Sequence, residues 1–105
     1  MSRVAPASYW ILCALAEGEA HGYVIAQRIR GLADGEVGVG TGTLYAAIER
    51  LRADGLIELA AETRVEGRIR RSYRLTGSGK DVVVTETERR AAAVSRARRQ
   101  LGLAT

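Results

Sequence analysis

The sequence has very few residues that could ligate a metal or form a disulfide. Its 105 residues include one cysteine, Cys13, and one histidine, His21. A single cysteine excludes an intramolecular disulfide, and the apolar neighbours of Cys13 favour a buried thiol. Two distant side chains do not supply the four ligands of an ordinary zinc site, and the carboxylates fall on polar faces unsuited to general acid catalysis. We therefore expect no metal, no cofactor and no enzymatic activity.

Motifs for nucleotide binding are also missing. The one lysine, Lys80, is followed by Asp81 rather than by the Ser or Thr of a P-loop. The glycine-rich stretch 35–42 lacks a dinucleotide-binding fingerprint, because Thr43 or Tyr45 occupies the third glycine position. We predict that this stretch is a loop.

Long hydrophobic runs are absent as well. The uncharged stretch 4–16 is interrupted by Pro6, Ser8 and Tyr9, and it is shorter than the roughly 20 apolar residues that cross a bilayer. It has a superficial likeness to a signal peptide because Arg3 precedes it, but its composition favours a buried first helix. We expect no membrane segment and a cytoplasmic protein.

The size and charge of the chain restrict its class further. A chain of 11.3 kDa can form one small core but not separate substrate and cofactor domains. Sixteen basic and twelve acidic residues give a net charge of +4. The segment 64–74 holds five arginines and one glutamate and so accounts for this surplus, while the rest of the chain is neutral. A local basic patch favours an anionic partner such as nucleic acid.

Three helices are predicted in the first half of the chain. Residues 9–16 follow Pro6 and are apolar nearly all round, which is typical of a buried helix. Residues 22–32 form a second helix with a broad apolar face, made of Tyr23, Val24, Ile25, Ala26, Ile29 and Leu32. The third helix begins at an N-cap, Thr41 or Thr43, and ends at Gly55. Its buried stripe is Leu44, Ala47, Ile48 and Leu51.

A β-hairpin follows the third helix. Apolar and polar residues alternate in 57–62 and again in 69–75, and the turn-forming pair 66–67 separates the two runs. We expect Ile69 and Tyr73 to face the core, Arg70 and Arg74 to face outward, and Arg68 to lie at the turn.

The last helix runs from an N-cap at Thr76 to about residue 101. It is too long for so small a core to cover, so we expect a second copy of the chain to pack on it. Two neighbouring seams fit the spacing: one is Val83, Thr87, Val94, Ala97 and Leu101, and the other is Val84, Ala91 and Val94. A solvated, partly frayed helix is the alternative, because the segment is rich in arginine.

Three helices followed by a hairpin are the elements of a winged helix-turn-helix. The predicted fold class is mainly α with a small antiparallel β-hairpin, with a DNA-binding domain at 1–76 and a C-terminal dimerisation helix at 77–105. In this arrangement the third helix enters the major groove, which is wide enough for a helix, and the hairpin is the wing.

The chain resembles the PadR-like transcriptional regulators in an ordered set of motifs over residues 9–80. These motifs are His21-Gly22-Tyr23, Gly42-Thr43-Leu44-Tyr45, Arg50-Leu51, Asp54-Gly55-Leu56-Ile57, Gly67-Arg68 and Tyr73-Arg74-Leu75-Thr76. The family usually has proline where this chain has Ala46 and an aromatic residue where it has Ser72. The resemblance implies a dimeric repressor whose last helix supplies most of the dimer contact. It also implies a small-molecule effector as a further partner, whose existence and identity the sequence leaves open.

Two sets of site residues follow. We expect DNA contacts from His21, Tyr23, Gly42, Thr43, Tyr45, Ala46, Glu49, Arg50, Arg68, Arg70, Arg71 and Arg74. We expect dimer contacts from Trp10, Val83, Val84, Thr87, Ala91, Val94, Ala97 and Leu101. The partners are then a double-stranded DNA operator and a second copy of the chain, with half-sites about 34 Å apart on a pseudo-palindrome.

Each assignment has a plainer alternative at this stage. Tyr45 could pack beneath the wing, His21 could be a satisfied core residue, and Arg50 could pair with a neighbouring carboxylate. Glu58 or Glu62 could pair with arginines across the hairpin. The alternative function is a winged-helix module that binds a protein or a small molecule without binding DNA.

Overall fold

Four helices and three strands make up the described part of the chain. The computed structural model describes residues 5–32 and 40–103, and its elements are α1 (Pro6–Ala16), β1 (Ala20–His21), α2 (Gly22–Leu32), α3 (Thr41–Ala53), β2 (Ile57–Val65), β3 (Arg68–Leu75) and α4 (Gly77–Gln100). This order, with a long last helix, confirms the predicted winged helix-turn-helix class. Most of the predicted loop 35–42 lies outside the described residues. No helix within them is long and apolar enough to cross a membrane.

Helix α1 lies at the centre of the core. Six of its eleven residues are buried, and Ile11 and Leu12 have no exposed surface. Apolar residues on nearly every side allow this burial, because α2, α3, α4 and β3 all contact the helix. The Arg28 side chain donates hydrogen bonds to the carbonyls of Ala14 and Gly18, at 3.1 and 2.8 Å, and so ties α2 to the end of α1.

Helix α2 has the predicted bounds but a narrower buried face. Ile25 and Ile29 are buried as expected. Tyr23, at 65% exposure, and Leu32, at 45%, are not. The prediction that both belong to the buried face is wrong, because the helix packs on α1 and α3 along one side only.

Helix α3 buries the predicted stripe but begins differently. Its N-cap is Gly40, in extended conformation and with no side-chain cap bond, so the predicted threonine cap is wrong. The predicted end is confirmed, since Gly55 takes a φ of +75°. The amide of Gly55 donates to the carbonyl of Arg52 and that of Leu56 to the carbonyl of Leu51, both at 3.0 Å. These two bonds form a Schellman motif.

The hairpin turns at the predicted pair. Glu66 and Gly67 both have positive φ, +50° and +78°, and the flanking residues pair with each other. Such a turn matches the twist of the strands, and glycine adopts it without strain. The sheet has a third strand that the sequence did not predict: β1 pairs with β3, giving the order β1-β3-β2. Two residues are too few for alternation to be visible in a sequence.

Helix α4 is anchored at its start. The Thr76 hydroxyl accepts a hydrogen bond from the amide of Gly79 at 3.0 Å and donates to the carbonyl of Gly55 at 2.6 Å, which confirms the predicted N-cap. A Cβ at Gly79 would lie 2.9 Å from the carbonyl carbon of Leu56, so the helix approaches the α3–β2 turn closely. Val83 and Glu86 are the last buried residues of α4.

Candidate nucleic-acid interface

The outer face of α3 carries small side chains and one carboxylate. Because the buried stripe of α3 faces the core, helical periodicity places Gly42, Ala46 and Glu49 on the opposite side. All three are exposed, and Thr43 and Arg50 are exposed beside them. The helix backbone can therefore approach a partner closely along its first two turns.

Tyr45 joins two of the sequence motifs. Its ring packs on Gly22 at the start of α2, and a Cβ at Gly22 would lie 2.9 Å from the Tyr45 ring carbon Cζ and overlap the hydroxyl. Glycine is therefore needed at position 22 for this packing. About half of Tyr45 remains exposed, so the side chain packs on α2 and is still partly accessible to a partner.

A groove of about 600 Å³ separates α3 from the wing. It brings together seven of the predicted site residues, namely His21, Tyr23, Tyr45, Glu49, Arg68, Arg70 and Arg71. The others do not line it: Gly42, Thr43, Ala46 and Arg50 lie elsewhere on α3, and Arg74 lies nearer the base of the hairpin. His21 is half-buried in β1 opposite Ser72, and it directly precedes Gly22, the first residue of α2.

Two of the predicted wing arginines form ion pairs across the hairpin. Arg71 Nε donates to Glu62 at 2.8 Å and Arg74 Nε to Glu58 at 2.7 Å. The hydrogen bonds and the negative charges of these carboxylates raise the pKa of both guanidinium groups, which remain charged in any case. Both arginines are therefore less available to an anionic partner than the sequence suggested.

The far end of the wing is different. Arg64, Arg68 and Arg70 are exposed, and none has an ion pair in the described part of the chain. Ile69, which we expected in the core, is 52% exposed, because the hairpin extends beyond the helices that cover its base. That prediction is wrong for Ile69 and confirmed for Tyr73, which is buried.

Arg64 belongs to the basic segment 64–74 but not to the predicted DNA contacts. The two-residue turn could have indicated it, because that turn places Arg64 opposite Ile69 near the tip of the hairpin. Val65 and Glu66 were missed for the same reason, although both line the groove.

A short chain of contacts links α3 to the wing. Arg52 forms an ion pair with Glu49, at 3.2 Å, and its guanidinium lies 5.9 Å from the ring centre of Tyr73. Burial raises the pKa of Tyr73, and the nearby charge of Glu49 adds to that shift. Arg50, whose pairing was left open, has no ion pair among the described residues.

The predicted dimer residues fall into two groups. Val83 is 7% exposed in the core of its own chain, and Thr87 accepts or donates a 2.8 Å hydrogen bond with the Tyr9 hydroxyl. The assignment of Val83 to a dimer seam is therefore corrected, because its side chain is already covered by the same chain. The other group is exposed on α4: Val84, Ala91, Val94, Ala97 and Leu101.

Trp10 lies beside Tyr9, the α1 residue that contacts Thr87 and Arg90 of α4. The Trp10 ring lies edge-on to the Tyr9 ring, with centres 5.7 Å apart. The guanidinium of Arg90 lies over the Tyr9 ring, 3.6 Å from its centre. Trp10 is half-buried, so part of it remains available to a partner.

Comparison with known proteins gives a consistent result. The family model described as the transcriptional regulator PadR-like family matches residues 11–85. The transcriptional regulator Rv3488 of Mycobacterium tuberculosis is 42% identical over 93 residues, which cover 88% of this chain and 79% of that protein.

Solved structures show the same fold. A transcriptional regulator from Clostridium thermocellum superposes with a TM-score of 0.74 at 28% identity, covering 88% of this chain and 89% of that one. Bacillus subtilis PadR, solved in complex with operator DNA, superposes with a TM-score of 0.68 at 25% identity, covering 76% of this chain but 45% of that longer chain. The protein described here belongs to the PadR-like family of transcriptional regulators.

Proposed function

We propose that this regulator binds double-stranded operator DNA as a homodimer and represses transcription. Residues 1–76 form the DNA-binding part, with α3 in the major groove and the wing on the backbone or in the minor groove. Residues 77–105 supply the dimer contact. The DNA complex of Bacillus subtilis PadR supports the choice of partner, and a regulator of the genome would act in the cytoplasm.

The exposed arginines at the end of the wing carry this proposal. Arg64, Arg68 and Arg70 lack ion pairs among the described residues and extend past the core. A guanidinium without a protein partner can bind phosphate, or can enter a narrow minor groove where the negative potential is enhanced. Their neighbours Arg71 and Arg74 already have carboxylate partners, so we assign these two a smaller share of the DNA contact.

Helix α3 supplies the complementary surface. The cap at Gly40 makes no side-chain hydrogen bond, so backbone amides of the first turn, at Gly42 and Thr43, can bind a phosphate. Ala46, Glu49 and Arg50 then lie further along the helix toward the base edges. Tyr45, His21 and Tyr23 flank the groove between α3 and the wing.

The second half of α4 supports the dimer. A helix of 24 residues is about 36 Å long, whereas the eleven residues of α1 span about 16 Å. Beyond Arg90 no described residue of α4 is buried. Two of the exposed residues are large and apolar: Val94, at 59% exposure, and Leu101 at the end of the helix, at 71%. With Ala97 they continue the core-facing line of the helix past the end of its own α1, and a second copy would cover them.

For the effector we propose the cleft between α1 and α4. It measures about 380 Å³ and is lined mainly by apolar groups, and its polar lining residues are Tyr9, Cys13, Thr87 and Glu88. A cleft of this size suits a small, largely apolar molecule.

The test is a DNA-binding titration at several salt concentrations. Each phosphate contact contributes about 0.9 to the slope of log K against log salt. Replacing Arg68 and Arg70 with alanine should therefore flatten the slope by about 1.8 and weaken binding to all sequences alike.

The matched control removes two arginines outside the proposed interface. Arg30→Ala with Arg99→Ala takes away the same charge at exposed positions on α2 and α4, so the slope should stay at the wild-type value. If the variant lacking Arg68 and Arg70 has the wild-type slope, the wing does not contact the DNA backbone.

A further inference from the structure

Glu49 occupies the centre of the surface that α3 presents to solvent. Its side chain is 64% exposed and lines the groove beside the wing. One helical turn before it lies Ala46 and one turn after it lies Ala53, and Gly42 precedes both on the same face. No other side chain on that line extends beyond a methyl group.

A carboxylate at this place needs an explanation, because DNA repels it. Exposed ion pairs contribute little to the free energy of folding, so stability does not account for Glu49. Its pair with Arg52, at 3.2 Å through Oε1, balances the charge. Arg52 is in turn held over the Tyr73 ring. The contact with Arg52 uses Oε1 of Glu49, and Oε2 can accept a further hydrogen bond.

In the major groove, the amino group N4 of cytosine is the donor that a carboxylate accepts from. We propose that Glu49 reads a cytosine in each half-site of the operator, and that Arg52 is its positioning residue. This inference rests on the proposed DNA-binding function and adds to it the base that the recognition helix selects. Arg52 neutralises the carboxylate and fixes its rotamer, and the small neighbours of Glu49 let the helix approach the base edges.

The experiment is selection from a pool of DNA duplexes with a randomised central region, followed by sequencing of the bound fraction. Wild type should enrich a C·G pair at one position of each half-site, by about 5- to 100-fold over the other pairs. Glu49→Gln should move the preference at that position to A·T, because glutamine pairs with the N6 and N7 atoms of adenine. Glu49→Ala should flatten the preference there and leave the others intact.

Two further variants separate base reading from bulk charge. Glu17→Gln removes an equal charge at an exposed site outside the groove, so it should keep the cytosine preference. Arg52→Lys keeps a cation beside Glu49 and should retain more of the preference than Arg52→Ala. Since all these side chains are at least partly exposed, circular dichroism should show native helix content for each.

Two results would overturn the inference. One is that Glu49→Gln and Glu49→Ala enrich the same sequences as wild type. The other is that they bind every duplex more tightly by the same factor, as simple relief of repulsion predicts. If wild type itself enriched no sequence, the proposed function would fail first, and that result is distinct from both.

Discussion

At the scale of residues, the packing of Tyr45 on Gly22 explains why two distant motifs occur together. The ring fills the space that a Cβ at Gly22 would take, and this holds the Tyr45 side chain beside the groove that it lines. The spacing of the sequence left two roles open for Tyr45, a packing residue and a DNA contact, and the structure is compatible with both at once. Sequence alone could not show this, because the contact joins the starts of two different helices.

Gly22→Ala should therefore affect DNA binding more than folding. The added methyl group meets the far end of a half-exposed ring, which can swing aside, so we expect the free energy of unfolding to change by less than about 1 kcal/mol. Displacing the Tyr45 hydroxyl should weaken DNA binding by about 1 kcal/mol. Urea unfolding and a binding titration measure the two effects.

Gly31→Ala is the control in the same helix, because a Cβ there meets nothing within 4 Å. It should leave binding unchanged. In a Tyr45→Ala background the effect of Gly22→Ala on binding should disappear. A loss that persists in that background would show that Gly22 acts by another route.

At the scale of elements, a β-bulge in the wing decides which arginines are free. Counting from the turn places Glu62 opposite Arg71, whereas counting from the base of the hairpin places it opposite Arg70. The irregularity between Leu59 and Ala61 takes up the difference, and the observed partner is Arg71. Arg70 is left without a carboxylate as a result.

This detail marks the limit of prediction from the sequence. The helices, the turn at Glu66-Gly67 and the N-cap at Thr76 were predictable, because each depends on a local pattern of glycine, threonine and apolar residues. Pairing of Glu58 or Glu62 with arginines was one of the alternatives, but the identity of those arginines was not predictable, since a shift of one residue in register exchanges them. The burial of Val83 was also missed, because the seven-residue spacing is equally compatible with contact to its own α1.

Helix α4 gives a prediction about assembly. Val94→Asp places a charge on the exposed apolar line that continues the core-facing side of the helix, so the proposed dimer should dissociate in sedimentation experiments. Thr85→Asp is the control, because Thr85 is also exposed and helical periodicity places it on the side of α4 opposite Val94. A Val94→Asp variant that sediments like wild type would move the dimer contact to another surface.

At the scale of the whole molecule, positive charge concentrates at two places. One is the wing, and the other is the second half of α4, where five arginines lie between residues 89 and 99 and no acidic residue follows Glu88. The described chain is elongated, 56 × 28 × 21 Å. If two such chains pair through α4 as proposed, a two-fold operator requires that both α3 helices face one duplex.

Hydroxyl-radical footprinting of the wild-type protein on a selected duplex tests this arrangement most directly. The proposed arrangement predicts two equivalent patches of backbone protection, related by a two-fold axis and separated by one turn of DNA, about 34 Å. Protection of a single patch at concentrations where the protein is dimeric would contradict it, and so would the absence of any protection.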